Sequence, residues 1–105
     1  MHDIVRNPSY NLRIIRSFGD AATARLYRGE IVKRFAGIRT QALRKLDVMA
    51  AARALSDLRV PPANRLEALK GDRKGRHSIR INDQWRICFR WTAEGPEEVE
   101  IVDYH

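Results

Sequence analysis

Three stretches of the sequence hold residues whose types and spacing could do chemistry. The first is Leu69-Lys70-Gly71-Asp72-Arg73-Lys74-Gly75-Arg76, two glycines set among four cations. Glycine lets a backbone approach a phosphate, and the cations would neutralise one. The spacing lacks GxxxxGK[ST], so a nucleotide-binding P-loop is not expected. The second is an alternating stretch that places Arg80, Arg86 and Arg90 on one strand face, where guanidiniums pack poorly but bind phosphate well. The third is the terminal Asp103-Tyr104-His105, which joins a carboxylate, a phenol and an imidazole that titrates near neutrality. The simpler expectations for the three are a solvated loop, a plain sheet face and a frayed tail.

Other chemistries find less support. Cys88 is the single cysteine and has no histidine beside it in sequence, so neither a nucleophilic thiol, nor an internal disulfide, nor a zinc cage is expected. His2 and His77 read as leader and strand-surface residues rather than ligands. No His/Cys/Asp/Glu spacing suggests a metal, and no cofactor is expected. The G-x-S-x-G and G-x-G-x-x-G patterns are absent.

These residues must be positioned by one domain, since 105 residues do not build two well-packed ones. A chain that is 44% hydrophobic is rich enough in core formers to fold. Its longest apolar run, Val48 to Ala52, falls far short of the ~20 residues a membrane span needs, and no secretory signal or lipidation motif is visible. With one cysteine, the expectation is a cytosolic domain in a reducing compartment, without a membrane partner. The net charge of +7 is unevenly distributed. Residues 93–105 carry Glu94, Glu97, Glu98, Glu100 and Asp103 and no Lys or Arg, so the positive excess belongs to the body. A basic body attracts polyanions by counterion release, and nucleic acid is the commonest such partner.

Asn7-Pro8-Ser9 is a turn signal, so residues 1–12 read as an irregular leader and 13–105 as the domain. Leu12 to Phe18 alternates with β-branched residues and predicts a first strand. Asp20 is placed to cap a short helix from Ala21 to about Gly29. From about Arg39 to Leu58 the chain holds good helix formers and no Pro or Gly. Leu43, Leu46, Ala50, Ala54 and Leu58 make its apolar stripe, and Pro61-Pro62 ends it. The period then changes to two. With a three-residue loop Asn82-Asp83-Gln84, Ile81 opposes Trp85 and Ile79 opposes Ile87. That register buries Ile79, Ile81, Trp85, Ile87, Phe89 and Trp91 and leaves Ser78, Arg80, Arg86, Cys88 and Arg90 opposite. Gly95-Pro96 is expected to turn the chain into a last strand, Val99 to Val102. The predicted fold is α+β, with an N-terminal strand and two helices on a mainly antiparallel sheet, in the order β-α-α-β-β-β.

Taken together, the first-strand Ile15-Arg16-Ser17-Phe18, Arg65-Leu66-Glu67-Ala68-Leu69-Lys70-Gly71-Asp72-Arg73-Lys74-Gly75, Ser78-Ile79-Arg80-Ile81-Asn82, Trp85-Arg86-Ile87-Cys88-Phe89 and Asp103-Tyr104-His105 resemble the HigB toxin family of the RelE/ParE superfamily. The resemblance runs from about Ile15 to His105 and rests on the order of the motifs. It implies a RelE-like compact domain and a toxin of a bacterial type II toxin–antitoxin pair. It further implies binding at the A site of the 70S ribosome, on 16S rRNA and mRNA, metal-free cleavage of that mRNA, and inactivation by a HigA-like helix-turn-helix antitoxin. DNA would be met only through the antitoxin. Carried over by position, the family's functional set falls on Lys70, Arg86, Asp103, Tyr104 and His105. Two departures stand out: a carboxylate, Glu67, sits where some members have histidine, and the first dozen residues have no counterpart.

Metal-free RNA cleavage is consistent with that set. Attack of a 2′-OH on the neighbouring phosphate needs a proton acceptor, a proton donor for the departing 5′ oxygen, and cations for the phosphorane. Lys70 and Arg86 suit the last task. Asp103, Tyr104 and His105 offer three proton-transfer groups with acid and base unassigned, and Tyr104 has base stacking as its alternative role. Arg73, Lys74, Arg76, Arg80 and Arg90 are the candidate RNA and rRNA contacts. Two other readings share the fold or the charge: a non-catalytic ParE-like inhibitor of DNA gyrase, and a passive RNA-binding module.

Overall fold

The computed structural model describes residues 15–104. The predicted leader 1–12, the start of the first strand (Leu12, Arg13 and Ile14), His2 and His105 lie outside the described residues.

Helix α1 spans Ala21–Tyr27, and the extended Asp20 caps it by accepting from the Thr23 amide at 3.2 Å, as its position predicts. The buried Thr23 hydroxyl then accepts from the Ile101 amide at 3.0 Å, which ties the helix to the last strand. A 3₁₀ turn, Lys33–Ile38, buries Phe35 and Ile38 and leads into helix α2, Arg39–Ala51. The helix ends seven residues before the predicted Leu58. Ala52 is already extended, and Asp57 Oδ2 accepts from the amides of Arg53 and Ala54 at 2.9 and 3.2 Å, opening a separate 3₁₀ turn, Leu55–Arg59. A short carboxylate that offers local hydrogen bonds competes with the helix ladder, and here it prevails. Ala54 is therefore exposed, and Leu58 reaches the core from the 3₁₀ turn.

Four antiparallel strands lie in the order β1 (Glu67–Ala68), β2 (His77–Arg80), β3 (Trp85–Thr92) and β4 (Gly95–Asp103). The β2–β3 register is the predicted one. Ile79 opposes Ile87, and the Ile81 amide donates to the Trp85 carbonyl at 2.9 Å. Gly95 and Pro96, predicted to turn the chain, are instead the first residues of β4. Thr92 closes a tighter turn, its hydroxyl donating to Gly95 O at 2.7 Å and accepting from the Glu94 amide at 3.2 Å. Within the described residues the first strand amounts to one parallel bridge, Phe18 to Val99, along the outer edge of β4. Amide bonds from Arg16 to Pro96, Val99 to Ser17 and Gly19 to Val99 hold it there. A side chain at Gly19 would meet Glu100 Oε1 at 3.0 Å and Glu98 O at 3.1 Å, so glycine permits this approach.

One face of the sheet packs on the helices through Ile79, Ile87 and Phe89, against Leu26, Phe35, Leu46 and Met49, all fully buried. Trp85 and Trp91 are half-buried; the Trp85 ring meets Phe35 edge-on at 5.6 Å. Phe35→Ala is expected to cost ~3–5 kcal/mol in urea denaturation, the amount typical of an emptied aromatic site. Trp85→Ala should cost less, because part of its ring is already in water.

The opposite face differs from the expected solvent-facing arginine row. Ser78, Arg86 and Cys88 on it are buried, and only Arg80 and Arg90 are partly exposed. Segment 65–76 lies over it. Arg65 O accepts from Arg86, and Arg73 and Arg76 come close enough to act on the Cys88 thiol. Burial above all pushes that thiol up from its ordinary pKa, which suits an inert core cysteine. Among the described residues, no helix is long and apolar enough to cross a membrane.

Candidate functional site

Arg86 is the organising residue. Only 7% exposed, it donates from Nε to Ser78 Oγ at 2.8 Å and from Nη2 to Arg65 O at 2.7 Å and Ser78 O at 3.4 Å. Strand pairing explains part of this, since Ser78 and Arg86 lie on neighbouring strands and share a face. The guanidinium carbon lies 5.5 Å from the Tyr104 ring centroid, and Glu67 Oε1 stands 3.7 Å from Nη2. A guanidinium fixed by three acceptors loses little further entropy when it meets an anion.

Arg86 opens into a cleft of about 450 Å³ that it lines with Arg65, Arg80, Glu67, Asn82 and Tyr104, among others. That volume is in the range of small-ligand sites. Glu67 and Tyr104 also wall a second hollow, of about 380 Å³, on whose other side stand Lys70 and Arg73. Tyr104, 45% exposed, thus borders two cation-lined spaces. The hairpin turn holds it in place: its amide donates to Gln84 O at 2.6 Å, while Gln84 Nε2 donates to Asp103 Oδ2 at 3.1 Å. Asn82 Oδ1 accepts from the amides of Gln84 and Trp85, both at 2.8 Å, and fixes the turn itself.

Arg65 is presented by an unusual loop. It has φ 47°, in the left-handed region, directly after Asn64, which is fully buried. Asn64 Nδ2 donates to Leu58 O at 3.1 Å and Val60 O at 3.3 Å, and its Oδ1 accepts from Lys45 Nζ on α2. Burial, with Arg44 adding to it, holds the Lys45 ammonium below the ordinary lysine pKa. Asn64→Ala is expected to lower stability by ~1–3 kcal/mol, because Lys45 and two carbonyls lose their partner. Chemical denaturation would read that loss directly.

The structure brings Lys70, Arg86, Asp103 and Tyr104 to one end of the sheet, with Arg80 and Arg73 on the cleft walls. The other cations are arranged differently. Arg76 pairs with Glu98 and, at 3.9 Å, with Glu100, which Arg73 also approaches at 3.5 Å. Arg90 faces Glu97 at 4.0 Å and Glu98 at 3.8 Å, Arg80 pairs with Asp83, and Lys74 is exposed. The acidic C-terminal strand therefore neutralises much of the loop's charge. Sequence reasoning missed Arg65, Asn64, Asn82 and Gln84 as site residues. Asn82 had a signal, a turn-forming residue opening a hairpin loop; Asn64 had none.

The sequence that builds this site matches a known family. A family profile describing the RelE-like toxin of the type II toxin–antitoxin system HigB matches residues 16–105. Toxin HigB-1 of Vibrio cholerae serotype O1 (strain ATCC 39315 / El Tor Inaba N16961) is 56% identical over 48 residues, 46% of this chain and 50% of that protein. An uncharacterized protein of Haemophilus influenzae (strain ATCC 51907 / DSM 11121 / KW20 / Rd) is 44% identical over 48 residues, 46% of this chain and 48% of that one. The matched part of the chain spans about half the length of these curated relatives. Since the family match runs through both helices, all four strands and every described residue of the cleft, the chain belongs to the HigB-like, RelE-like toxins of type II toxin–antitoxin systems.

Proposed function

We propose that this toxin inhibits translation as a ribosome-dependent endoribonuclease, cutting mRNA in the A site of the 70S ribosome by acid/base transesterification without a metal. The observation that carries the reading is the Arg86 guanidinium, buried and tethered, facing a cleft that Arg65 and Arg80 also line, beneath Tyr104. Preorganised cations of this kind stabilise the extra charge of a phosphorane, and Lys70 would add to that from the far side of Tyr104. Asp103, Tyr104 and the next residue, His105, would supply the proton transfers, with 2′-OH deprotonation and 5′-oxygen protonation as the two tasks. Tyr104 is also placed to stack on a base.

Lys74 would meet RNA phosphates directly, and Arg73 and Arg80 would do so by exchanging Glu100 and Asp83 for phosphate. Arg76 and Arg90, engaged by glutamates, would contribute less. A small domain with open clefts relies on the ribosome and its 16S rRNA to hold mRNA in register. We assign the toxin to the cytoplasm and its inactivation to a HigA-like helix-turn-helix antitoxin, through which alone it would meet DNA. Primer extension on cellular mRNAs after brief induction tests the reading. Cuts inside translated codons are expected. Intact mRNA together with inhibited DNA supercoiling would instead favour the gyrase-binding mode of ParE-like toxins.

A further inference from the structure

We propose a second RNA contact, at the opposite end of the sheet from the cleft, formed by Trp91, Arg16 and Arg53; it rests on the reading of the protein as an RNA-binding toxin. A groove of about 510 Å³ lies where the segment before α1, the end of α2 and the β3–β4 turn converge. Trp91 lines one part of it, half-buried, with Arg16 and Arg53 beside it and Ala52, Ala93 and Gly95 as small floor residues. Both arginines are exposed, and among the described residues neither side chain makes an ion pair. That separates them from Arg73, Arg76, Arg80 and Arg90, whose guanidiniums all face carboxylates. The carboxylate nearest in sequence to Arg53, Asp57, accepts from the amides of Arg53 and Ala54; the Arg53 charge acts on it electrostatically but forms no ion pair with it.

An indole flanked by two guanidiniums outside any ion pair among the described residues is the pairing that binds unpaired nucleotides: the base stacks on the ring and the phosphates meet the cations. A protein partner would be expected to anchor apolar side chains here. Yet Ile31, Val48, Val60 and Tyr104, the large apolar side chains exposed among the described residues, all lie outside this groove. Glu94 on the rim leaves the groove one net positive charge and disfavours a phosphate on that side. From Arg86 to Trp91 the strand advances five residues, about 17 Å. The nucleotide in the groove is therefore a different one from the nucleotide beside Arg86, as folded ribosomal RNA around an mRNA would supply.

The test uses the full chain carrying Trp85→Phe, in which Trp91 is the only tryptophan. Its emission is followed during titration with a 2′-O-methylated single-stranded RNA of about twelve nucleotides, within the ~4–16 typical of one binding domain. Such RNA has no free 2′-OH to attack, so the outcome does not depend on cleavage. Saturable quenching is expected. Arg16→Ala/Arg53→Ala should weaken binding at least about tenfold, while Arg44→Ala/Arg59→Ala, which removes the same charge from other exposed positions, should stay within about twofold. The proposal is overturned by absent quenching, by equal weakening in the two double variants, or by a groove variant that loses antitoxin binding while keeping its affinity for RNA.

Discussion

Replacing Arg86 by alanine is expected to lower the rate of A-site cleavage by ~10²–10³, the loss that follows removal of one preorganised donor from a developing oxyanion. The same change leaves Ser78 Oγ and Arg65 O without their donor, so a stability loss of ~1–3 kcal/mol should accompany it. The two effects separate experimentally. Rates are measured on programmed ribosomes at a temperature where the variant is fully folded by circular dichroism. Arg86→Lys sharpens the test. An ammonium keeps the charge, but lacks the planar fork with which Arg86 donates to Ser78 Oγ from Nε and to Arg65 O from Nη2. Cleavage by this variant should therefore stay at least about tenfold below wild type. Recovery to the wild-type rate would reduce Arg86 to a diffuse source of charge.

Deleting His105 should have the larger effect on chemistry and almost none on the fold. Loss of a proton-transfer group typically costs ~10²–10⁴ in rate. The last strand is secured without it: Asp103 pairs with Trp85, and the Tyr104 amide donates to Gln84 O at 2.6 Å. Stability should thus change by no more than ~0.5 kcal/mol. Growth inhibition in cells and cleavage in vitro should fall together, while antitoxin binding persists. Asp103→Asn, tested alongside, would show whether the carboxylate held by Gln84 acts in proton transfer or serves to orient the strand end.

The hairpin was legible in the sequence because burial leaves it little choice. Ile79 and Ile87 must share a face, so only one loop length fits, and the structure has that register. The cap of α1 was legible for an equally local reason, a short carboxylate three residues ahead of the amide that it accepts from. The end of α2 was not, since helix propensity continues past Ala51 and only the Asp57 side chain diverts the backbone. Period-two alternation placed Arg86 opposite the core but carried no information about what would cover it. The cover came from segment 65–76, reached through the left-handed Arg65 and the buried Asn64, neither of which leaves a periodic trace. Likewise the loop cations looked free in sequence, and the sheet delivers Glu97, Glu98 and Glu100 to Arg73, Arg76 and Arg90 from over twenty residues away in most pairs. The terminal Asp103-Tyr104 was singled out as a candidate from its residue types and from the family resemblance. Its neighbours in space, Gln84 and Arg65, required the fold.

The central claim is that the residues around Arg86 and the chain terminus cut RNA through its own 2′-OH. It is tested most directly by the ends of the product. Purified toxin is added to 70S ribosomes carrying a defined mRNA with an open A site, and the new termini are identified by mass spectrometry. Transesterification by acid/base catalysis leaves a 2′,3′-cyclic phosphate on the upstream fragment and a 5′-hydroxyl on the downstream one. Those ends, formed only when ribosomes are present and absent with Arg86→Ala, are the predicted result. A 3′-hydroxyl with a 5′-phosphate, or equal cutting of free RNA, would contradict the account.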